Sequence, residues 1–296
     1  MAHHHHDHGN KNLGITIILN LIITLAQVIG GFISGSMALL SDATHNFSDV
    51  LALVISYVAR KLSFRKSTES KTFGYRRAEI MASFLNSGTL LLVSAILTYG
   101  AVERLFTPVN VEGGLVIWLA GLSILLNGLS VLLIKKQAKE SMNIRSAYLH
   151  LFTDMLTSIA VLAGGFAIKY LGWQWLDPVI SLGIAVYLIY SSWSIFAESL
   201  KIIMQFTPSG IDIRKINDEV CKIDGIKNMH HVHLWQLNEH EIMMEAHIDF
   251  EKDIRISEFE QKLPEIENAL KKFDIHHFNI MPEYQREDNK EIVHRD

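Results

Sequence analysis

Two pairs of ionisable residues lie inside apolar segments of this chain. One apolar stretch, Ser41–Val58, carries His45 and Asp49, and a later one carries His150 and Asp154. In each pair the two residues are four positions apart, which places both side chains on one face of a helix, one turn apart. Ionisable groups are costly inside a bilayer and usually mark a functional site. Two imidazoles and two carboxylates are enough to hold one tetrahedral metal ion.

The types of these four side chains favour zinc. Zinc is bound tetrahedrally by neutral histidine nitrogens and carboxylate oxygens. Two aspartates balance the charge of a divalent ion in a medium of low dielectric constant, and two histidines disfavour Mg²⁺ and Ca²⁺. Co²⁺, Cd²⁺, Fe²⁺, Mn²⁺ and Ni²⁺ share these ligands and stay open as alternatives. The other interpretation is a set of hydrogen-bonded packing groups between helices, but the repetition of the pair on two segments favours a metal site.

Six apolar segments are long enough to span a bilayer. The chain has 296 residues, of which 49% are hydrophobic, and a spanning helix needs about 20 mostly apolar residues. We therefore predict a membrane all-α bundle of six transmembrane helices within residues 13–206, at Leu13–Ile33, Met37–Ala59, Ile80–Leu105, Leu115–Ile134, Ser146–Tyr170 and Pro178–Phe206.

Lysine and arginine are concentrated in alternate loops, and this predicts the orientation. Loops 34–36 and 107–114 contain neither residue. The basic residues instead follow the second and fourth segments, at Arg60, Lys61, Arg65, Lys66, Lys71, Arg76, Arg77, Lys135, Lys136, Lys139 and Arg145. Because basic loops stay on the cytoplasmic side, both termini are expected in the cytoplasm and the chain in the inner or plasma membrane.

The composition changes after Phe206, where a soluble domain is expected. Residues 207–210 read as a linker, and residues 211–284 show the order αββαβ, which favours one sheet with helices on one face. Residues 285–296 form a charged tail. The predicted elements are a helix at Ile211–Ile223, strands at Met229–Leu237 and Glu241–Phe250, a helix at Ser257–Phe273 and a strand at Ile275–Met281.

Histidine is unusually frequent and cysteine is rare. The chain has 15 histidines and one cysteine, Cys221, which excludes an internal disulfide framework and a thiolate-rich zinc cage. Residues 1–12 are interpreted as a native histidine-rich cytoplasmic tail, although a tag remnant is the alternative. A net charge of −4 gives no basic field that would favour nucleic acid as a partner.

Other polar residues in the apolar segments have structural interpretations. Asn20, Gln27, Asn86 and Asn127 are predicted to form hydrogen bonds between helices. Asp177, which precedes a proline at the start of the sixth segment, is interpreted as the cap of that helix.

Four motifs together resemble the cation diffusion facilitator family of zinc transporters. They are GSMALLSDATHNFSDV around His45, the intramembrane HLFTD around His150, the Trp175–Pro178 opening of the sixth segment, and a C-terminal HLW strand. The resemblance implies a homodimer with a cytoplasmic ferredoxin-like, metallochaperone-like domain, and exchange of a divalent metal for protons by alternating access. It also implies that His45, Asp49, His150 and Asp154 are the transport ligands, with histidine at the first position favouring zinc over cadmium.

The resemblance also suggests a second metal site in the cytoplasmic domain. His233, His247 and Glu283 resemble the family's cytoplasmic zinc positions, with His276 as a further candidate. The alternative is an exposed histidine-rich sheet or a dimer-packing surface. Some family members have another site in the loop after the second helix, but its two histidines are replaced here in the stretch Lys71–Tyr75, so no metal is expected there.

Together these observations predict a transporter that exports Zn²⁺ from the cytoplasm in exchange for protons. Its expected partners are divalent metal ions, protons, membrane lipid and a second copy of the chain, with no nucleic acid. One alternative is an intramembrane zinc hydrolase, but the chain lacks an HExxH motif, and Glu198 lies away from both pairs. A metal sensor is another alternative, but it would not need intramembrane ligands.

Overall fold

The computed structural model describes residues 6–134 and 142–293, without the side chains of 6–17, 19, 20, 53, 56, 57, 60, 133, 134 and 142–151. Residues 1–5 of the histidine-rich tail therefore lie outside the described residues. The described elements, in chain order, are α1 His6–Ser34, α2 Met37–Ser63, α3 Ala78–Phe106, α4 Gly113–Ile134, α5 Met142–Leu171, α6 Leu176–Ile203, α7 Ile213–Val220, β1 Ile226–Gln236, β2 Ile242–Phe250, α8 Ile256–Lys271 and β3 Ile275–Glu283.

The first six helices overlap the six predicted apolar segments, and the largest difference is that α1 begins at His6 rather than at Leu13. Within the part of the chain that the structure describes, four segments are long and apolar enough to cross a membrane, and they lie in α3, α4, α5 and α6. The apolar stretch found in α1, Leu21–Ser34, is shorter. Helix α2 carries Asp42, His45 and Asp49, which lower its mean hydropathy. Six spans therefore stay a prediction.

The chain divides into two compact units. One unit comprises Met1–Tyr57 and Leu85–Phe196, and the other comprises Val58–Phe84 and Ala197–Asp296. The first contains most of the long apolar helices, and the second contains the small sheet. Each unit has its own cluster of buried hydrophobic side chains.

Glycines allow close helix approach in the first unit. A Cβ atom added at Gly113 would lie 2.9 Å from the backbone oxygen of Gly165, and one added at Gly165 would lie 3.0 Å from a methyl group of Val116. These distances are shorter than ordinary van der Waals contact, so side chains at Gly113 and Gly165 would separate α4 from α5. At this close approach of α4 and α5, Val116, Ala120 and Val161 belong to one buried hydrophobic cluster.

The C-terminal elements confirm the predicted order αββαβ. Strand β1 pairs antiparallel with β2, and β2 pairs parallel with β3. Because side chains alternate along a strand, Ala246, Ile248 and Phe250 face one side of β2, where they join Ile216 of α7 and Leu270 of α8 in the core. The opposite side of β2 carries polar residues.

Two local details differ from simple expectations. Helix α8 runs without interruption through Pro264, although a proline inside a helix removes one backbone hydrogen bond and favours a kink. Strand β1 is irregular between His230 and His233, and His231 has a φ of 50°. This left-handed conformation in a residue with a side chain is characteristic of a β-bulge or strained site.

Candidate metal centres

The first centre lies between α2 and α5. His45 Nε2 is 3.1 Å from Asp154 Oδ1, and His45 Nδ1 is 3.5 Å from Asp49 Oδ2. His45 is 7% exposed and Asp154 is fully buried. The three residues offer ligand atoms that all lie within 4.8 Å of one another. One imidazole and two carboxylates are therefore arranged closely enough to bind a single cation.

The fourth expected ligand, His150, lies on α5 one turn before Asp154. Its side chain is outside the described residues. The contact between His45 and Asp154 is the one that an antiparallel arrangement of the two segments predicts. The same antiparallel register places residue 150 at the level of Asp49, because each step of one turn along α2 corresponds to one turn back along α5.

The start of α2 is held by Asp177, and the interpretation of this residue as a cap of α6 is wrong. Asp177 lies in the first turn of α6 and accepts hydrogen bonds from the backbone N–H groups of Met37 at 2.8 Å and Ala38 at 3.3 Å. It also accepts the hydroxyl of Ser36. These N–H groups belong to the first turn of α2, where they have no partner within the helix. The carboxylate therefore fixes α2, and with it His45, to the N-terminus of α6.

The second centre lies in the C-terminal domain, on the polar side of the sheet. His230, His247, Glu283 and Asp288 offer ligand atoms within 4.8 Å of one another. His230 Nε2 lies 3.2 Å from Glu283 Oε2, and His247 Nδ1 lies 3.0 Å from Glu283 Oε1. His230 is fully buried, and its Nδ1 lies 3.1 Å from Asn228 Oδ1. An imidazole held in this way points its other nitrogen at the cluster, as metal-binding histidines do.

Two of the four expected cytoplasmic residues belong to this cluster, namely His247 and Glu283. The structure does not bring His233 or His276 into it. His233 is exposed and pairs with Glu245 across the sheet, and His276 is exposed on β3. The irregularity at His231 shifts the side-chain alternation of β1, so that His230 rather than His233 meets His247. A simple alternating pattern gives no signal for such a shift.

The charged tail returns to this cluster. The backbone N–H groups of His231 and Val232 donate to the carbonyl groups of Glu291 and Ile292, at 3.2 and 2.8 Å. The tail therefore supplies the hydrogen bonds that the irregular part of β1 lacks within the sheet. This pairing brings Lys290 close to the candidate ligands.

Lys290 places an ammonium group among the acidic side chains. Its Nζ lies 3.0 Å from Asp249 Oδ2, 3.2 Å from Glu283 Oε2 and 3.3 Å from His230 Nε2, and it also pairs with Asp288. Three carboxylates therefore share one lysine. The ammonium occupies the position where a metal ion would contact the same groups.

The pKa values of this cluster follow from its contacts. Burial opposes the charge on Lys290, but hydrogen bonds to Asp288, Asp249 and Glu283 raise the pKa of its ammonium. The hydrogen bond from Lys290 lowers the pKa of Asp288 to about 2. Burial lowers the pKa of His247, although the nearby Glu283 acts in the opposite direction. At neutral pH the cluster therefore holds a charged lysine, an ionised Asp288 and a neutral His247.

Comparison with protein families covers nearly the whole chain. The family described as "Cation efflux transmembrane domain" matches residues 13–204. The family described as "Cation efflux protein, cytoplasmic domain" matches residues 208–283. The two matches meet in the segment between α6 and α7, where the composition changes.

Several bacterial proteins are similar to this chain. A protein named "Cadmium, cobalt and zinc/H(+)-K(+) antiporter" from Bacillus subtilis is 33% identical over 99% of this chain and 95% of its own length. "Metal cation efflux system protein CzcD" from Cupriavidus metallidurans is 32% identical, covering 94% and 89% of the two chains. "Zinc transporter ZitB" from Escherichia coli is 33% identical, covering 88% and 83%.

These matches indicate a transporter rather than an enzyme, which sets aside the hydrolase alternative. They also agree with the four motifs that resembled one family in the sequence. The transmembrane and cytoplasmic family models match consecutive parts of this chain and together cover almost its full length. The chain therefore belongs to the cation diffusion facilitator family of zinc transporters.

Proposed function

We propose that this protein exports Zn²⁺ from the cytoplasm in exchange for protons, by alternating access to a site formed by His45, Asp49, His150 and Asp154. The observation that carries the proposal is the convergence of His45, Asp49 and Asp154 between two apolar helices, with ligand atoms within 4.8 Å of one another. His150 completes the set from its position one turn before Asp154.

The chemistry of this set fits zinc as the transported ion. Two carboxylates neutralise a divalent cation, and two imidazoles complete a tetrahedron. Relatives named as transporters of zinc, cadmium and cobalt support the same class of substrate. Cadmium and cobalt are therefore the principal alternatives, because both accept histidine and carboxylate ligands.

The architecture that we infer is a homodimer with six transmembrane helices per chain and cytoplasmic termini. The match of the cytoplasmic domain and the basic loops after α2 and α4 support this arrangement. We assign residues 13–206 to the membrane domain, 207–210 to a linker, 211–284 to the cytoplasmic domain, and 1–12 and 285–296 to the tails.

Metal uptake into membrane vesicles tests the proposal. Inside-out vesicles expose the cytoplasmic face, and with an acidic lumen they should accumulate zinc, whereas vesicles whose proton gradient has been collapsed should not. A panel of Zn²⁺, Cd²⁺, Co²⁺, Mn²⁺, Fe²⁺ and Ni²⁺ would rank the substrates, and vesicles without the protein would give the background. Zinc accumulation that does not depend on the proton gradient, or no uptake of any metal, would contradict the proposal.

The identity of residue 45 should control the choice between zinc and cadmium. We expect His45→Asp to raise cadmium transport relative to zinc by about tenfold, which corresponds to about 1.4 kcal/mol. The larger ion tolerates more oxygen ligands in a looser geometry, whereas zinc loses a nitrogen ligand. Competition between the two metals in the vesicle assay would measure the ratio. An unchanged ratio would remove His45 as the selectivity element.

The cytoplasmic cluster is proposed to bind zinc in a regulatory role. Its fitness as a metal site rests on two histidine nitrogens and two carboxylates within 4.8 Å of one another. With metal bound, His230, His247, Glu283 and Asp288 would be the ligands. The ion would neutralise their carboxylates and connect β1, β2 and β3 to the tail. Lys290 contacts three of these four groups, so its ammonium must leave before a metal ion can approach them.

Removal of this lysine should strengthen zinc binding at the cluster. Hydrogen bonds to charged groups are worth about 1.5–3 kcal/mol, so we expect Lys290→Ala to lower the dissociation constant at least about tenfold. Equilibrium dialysis of the full chain carrying Asp49→Ala and Asp154→Ala would report zinc binding without the proposed transport site. Lys272→Ala is the matched control, because Lys272 pairs with Glu219 at 2.7 Å outside the cluster. Unchanged affinity would show that Lys290 does not compete with the metal.

A further inference from the structure

A third carboxylate, Asp42, lies on α2 three residues before His45 and is fully buried. Its Oδ2 accepts hydrogen bonds from Gln27 Nε2 at 2.6 Å and from Ser158 Oγ at 3.0 Å. Its Oδ1 accepts one from Thr157 Oγ1 at 2.9 Å. Since Gln27 belongs to α1 and the two hydroxyl groups belong to α5, this one carboxylate joins three helices.

The hydrogen bonds of Asp42 to α1 and α5, here called the Asp42 junction, lie close to the proposed transport site along the helices. Asp42 and His45 lie three residues apart on α2, and Asp154 and Thr157 lie three residues apart on α5. Residues at this spacing share a helix face. The bond between Asp42 and Thr157 is therefore one turn away from the contact between His45 and Asp154, along the same antiparallel pair of helices.

Thr157 also links the junction to the backbone of a proposed ligand. Its hydroxyl oxygen lies 2.8 Å from the carbonyl oxygen of Asp154 as well as 2.9 Å from Asp42 Oδ1. A hydroxyl group has one proton and can also accept. The Asp42 carboxylate is thus connected through one side chain to the helical turn that carries Asp154.

The partners of Asp42 are themselves held in place. Gln27 Oε1 accepts a hydrogen bond from Asn46 Nδ2 at 3.1 Å. Ser158 Oγ lies 2.9 Å from Ser123 Oγ on α4. Because each donor is fixed by a second contact, the network specifies one arrangement of α1, α2, α4 and α5.

We propose that Asp42 is a positioning residue of the transport site. Its carboxylate fixes α2 against α1 and α5 in the register in which His45 meets Asp154. This inference rests on the proposed function of that site. Partners that orient metal ligands from outside the first coordination sphere typically contribute about 10- to 100-fold in metal affinity, and we expect Asp42 to lie in this range.

The test measures zinc binding rather than transport. In the full chain, His230→Ala and His247→Ala would remove the cytoplasmic cluster, so that equilibrium dialysis with radioactive zinc reports the transport site. Adding Asp42→Ala should raise the dissociation constant about 10- to 100-fold. Adding Thr157→Val together with Ser158→Ala should give a similar loss, and all three changes combined should give little more, because coupled residues are not additive.

A conservative variant separates positioning from charge. In Asp42→Asn the amide oxygen can accept from Gln27 and Ser158, and the NH₂ group can donate to Thr157 while Thr157 donates to the Asp154 carbonyl. The hydrogen bonds that join the three helices are kept and only one of them is weakened. We therefore expect the zinc dissociation constant to rise only about threefold. If Asp42→Asn binds zinc as weakly as Asp42→Ala, the charge is responsible and the proposal is overturned.

A control variant and two further results complete the test of Asp42. Thr98→Val is the matched control, because Thr98 is a half-buried threonine whose hydroxyl donates to Ser94 within α3, and it should leave zinc affinity unchanged. If Asp42→Ala does not fold, the paired change at Thr157 and Ser158 decides, and wild-type affinity in that variant would overturn the proposal. If the parent chain shows no zinc binding that depends on Asp154, the proposed function itself fails.

Discussion

Replacing Asp154 with alanine should reduce zinc transport by about two to three orders of magnitude, since removing one partner of a buried charge pair costs about 3–5 kcal/mol. Asp154 is fully buried and contacts His45 at 3.1 Å. Without it, a divalent ion between α2 and α5 would be balanced by Asp49 alone. One positive charge would then stay uncompensated in a medium of low dielectric constant.

The measurement is zinc uptake into inside-out vesicles containing equal amounts of each variant. Asp49→Ala, His45→Ala and His150→Ala should each abolish uptake for the same reason, the loss of one of four ligands. Asp253→Ala is a suitable control, because it removes an exposed carboxylate from the loop between β2 and α8. Membrane insertion should be unaffected in all of them. Wild-type uptake by any of the four variants would exclude that residue from the site.

The proposed transport site could be predicted from the sequence because its signal is local. The spacing of His45 and Asp49 fixes their common helix face before any tertiary structure is known. The apolar segments around them specify helices through their composition and length. The approach of His45 to Asp154 then follows from the expected antiparallel direction of two segments, and the structure shows it at 3.1 Å.

The role of Asp42 depends on hydrogen-bond partners that its own sequence neighbourhood does not indicate. It lies on the same helix face as His45 and is a carboxylate inside an apolar segment, so the signal was present in the sequence. Its partners, however, come from two other helices. Gln27 was predicted to form a hydrogen bond between helices, and it does so with Asp42 at 2.6 Å. Only the tertiary arrangement identifies which polar residues meet.

Asp177 illustrates the limit of local capping rules. An acidic residue beside a proline at the start of a helix normally indicates a cap of that helix. Here the same carboxylate accepts from Met37 and Ala38 at the start of α2. No local pattern distinguishes these two uses, because the choice depends on how the ends of α2 and α6 meet.

The cytoplasmic cluster was predicted in part because a strand can depart from strict alternation. The alternation of β2 correctly places His247 and Asp249 on the polar side. Because of the bulge at His231, His230 rather than His233 lies beside His247. Neither glycine nor proline marks this bulge in the sequence. Lys290 belongs to residues 285–296, which the sequence identifies only as a charged tail. Its return to the sheet depends on backbone hydrogen bonds from His231 and Val232 to the tail.

The movement of zinc should be accompanied by an opposite movement of protons. Histidine and carboxylate ligands must be deprotonated to bind a metal, so zinc and protons compete for the same groups. Zinc therefore displaces protons from these groups when it binds, and protons return to them when zinc leaves. Exposure of such a site to the two sides of the membrane in turn exchanges one cation for the other.

Proteoliposomes with a trapped pH-sensitive dye would measure this coupling under clamped voltage. A sudden addition of zinc outside should drive zinc inward and protons outward, so the lumen should become alkaline at a rate that follows zinc uptake. Asp154→Ala should abolish both signals together, because the two cations use the same carboxylates. Asp253→Ala should leave both intact. Zinc uptake without any change of lumenal pH would identify a channel-like uniporter, and the exchange mechanism would be wrong.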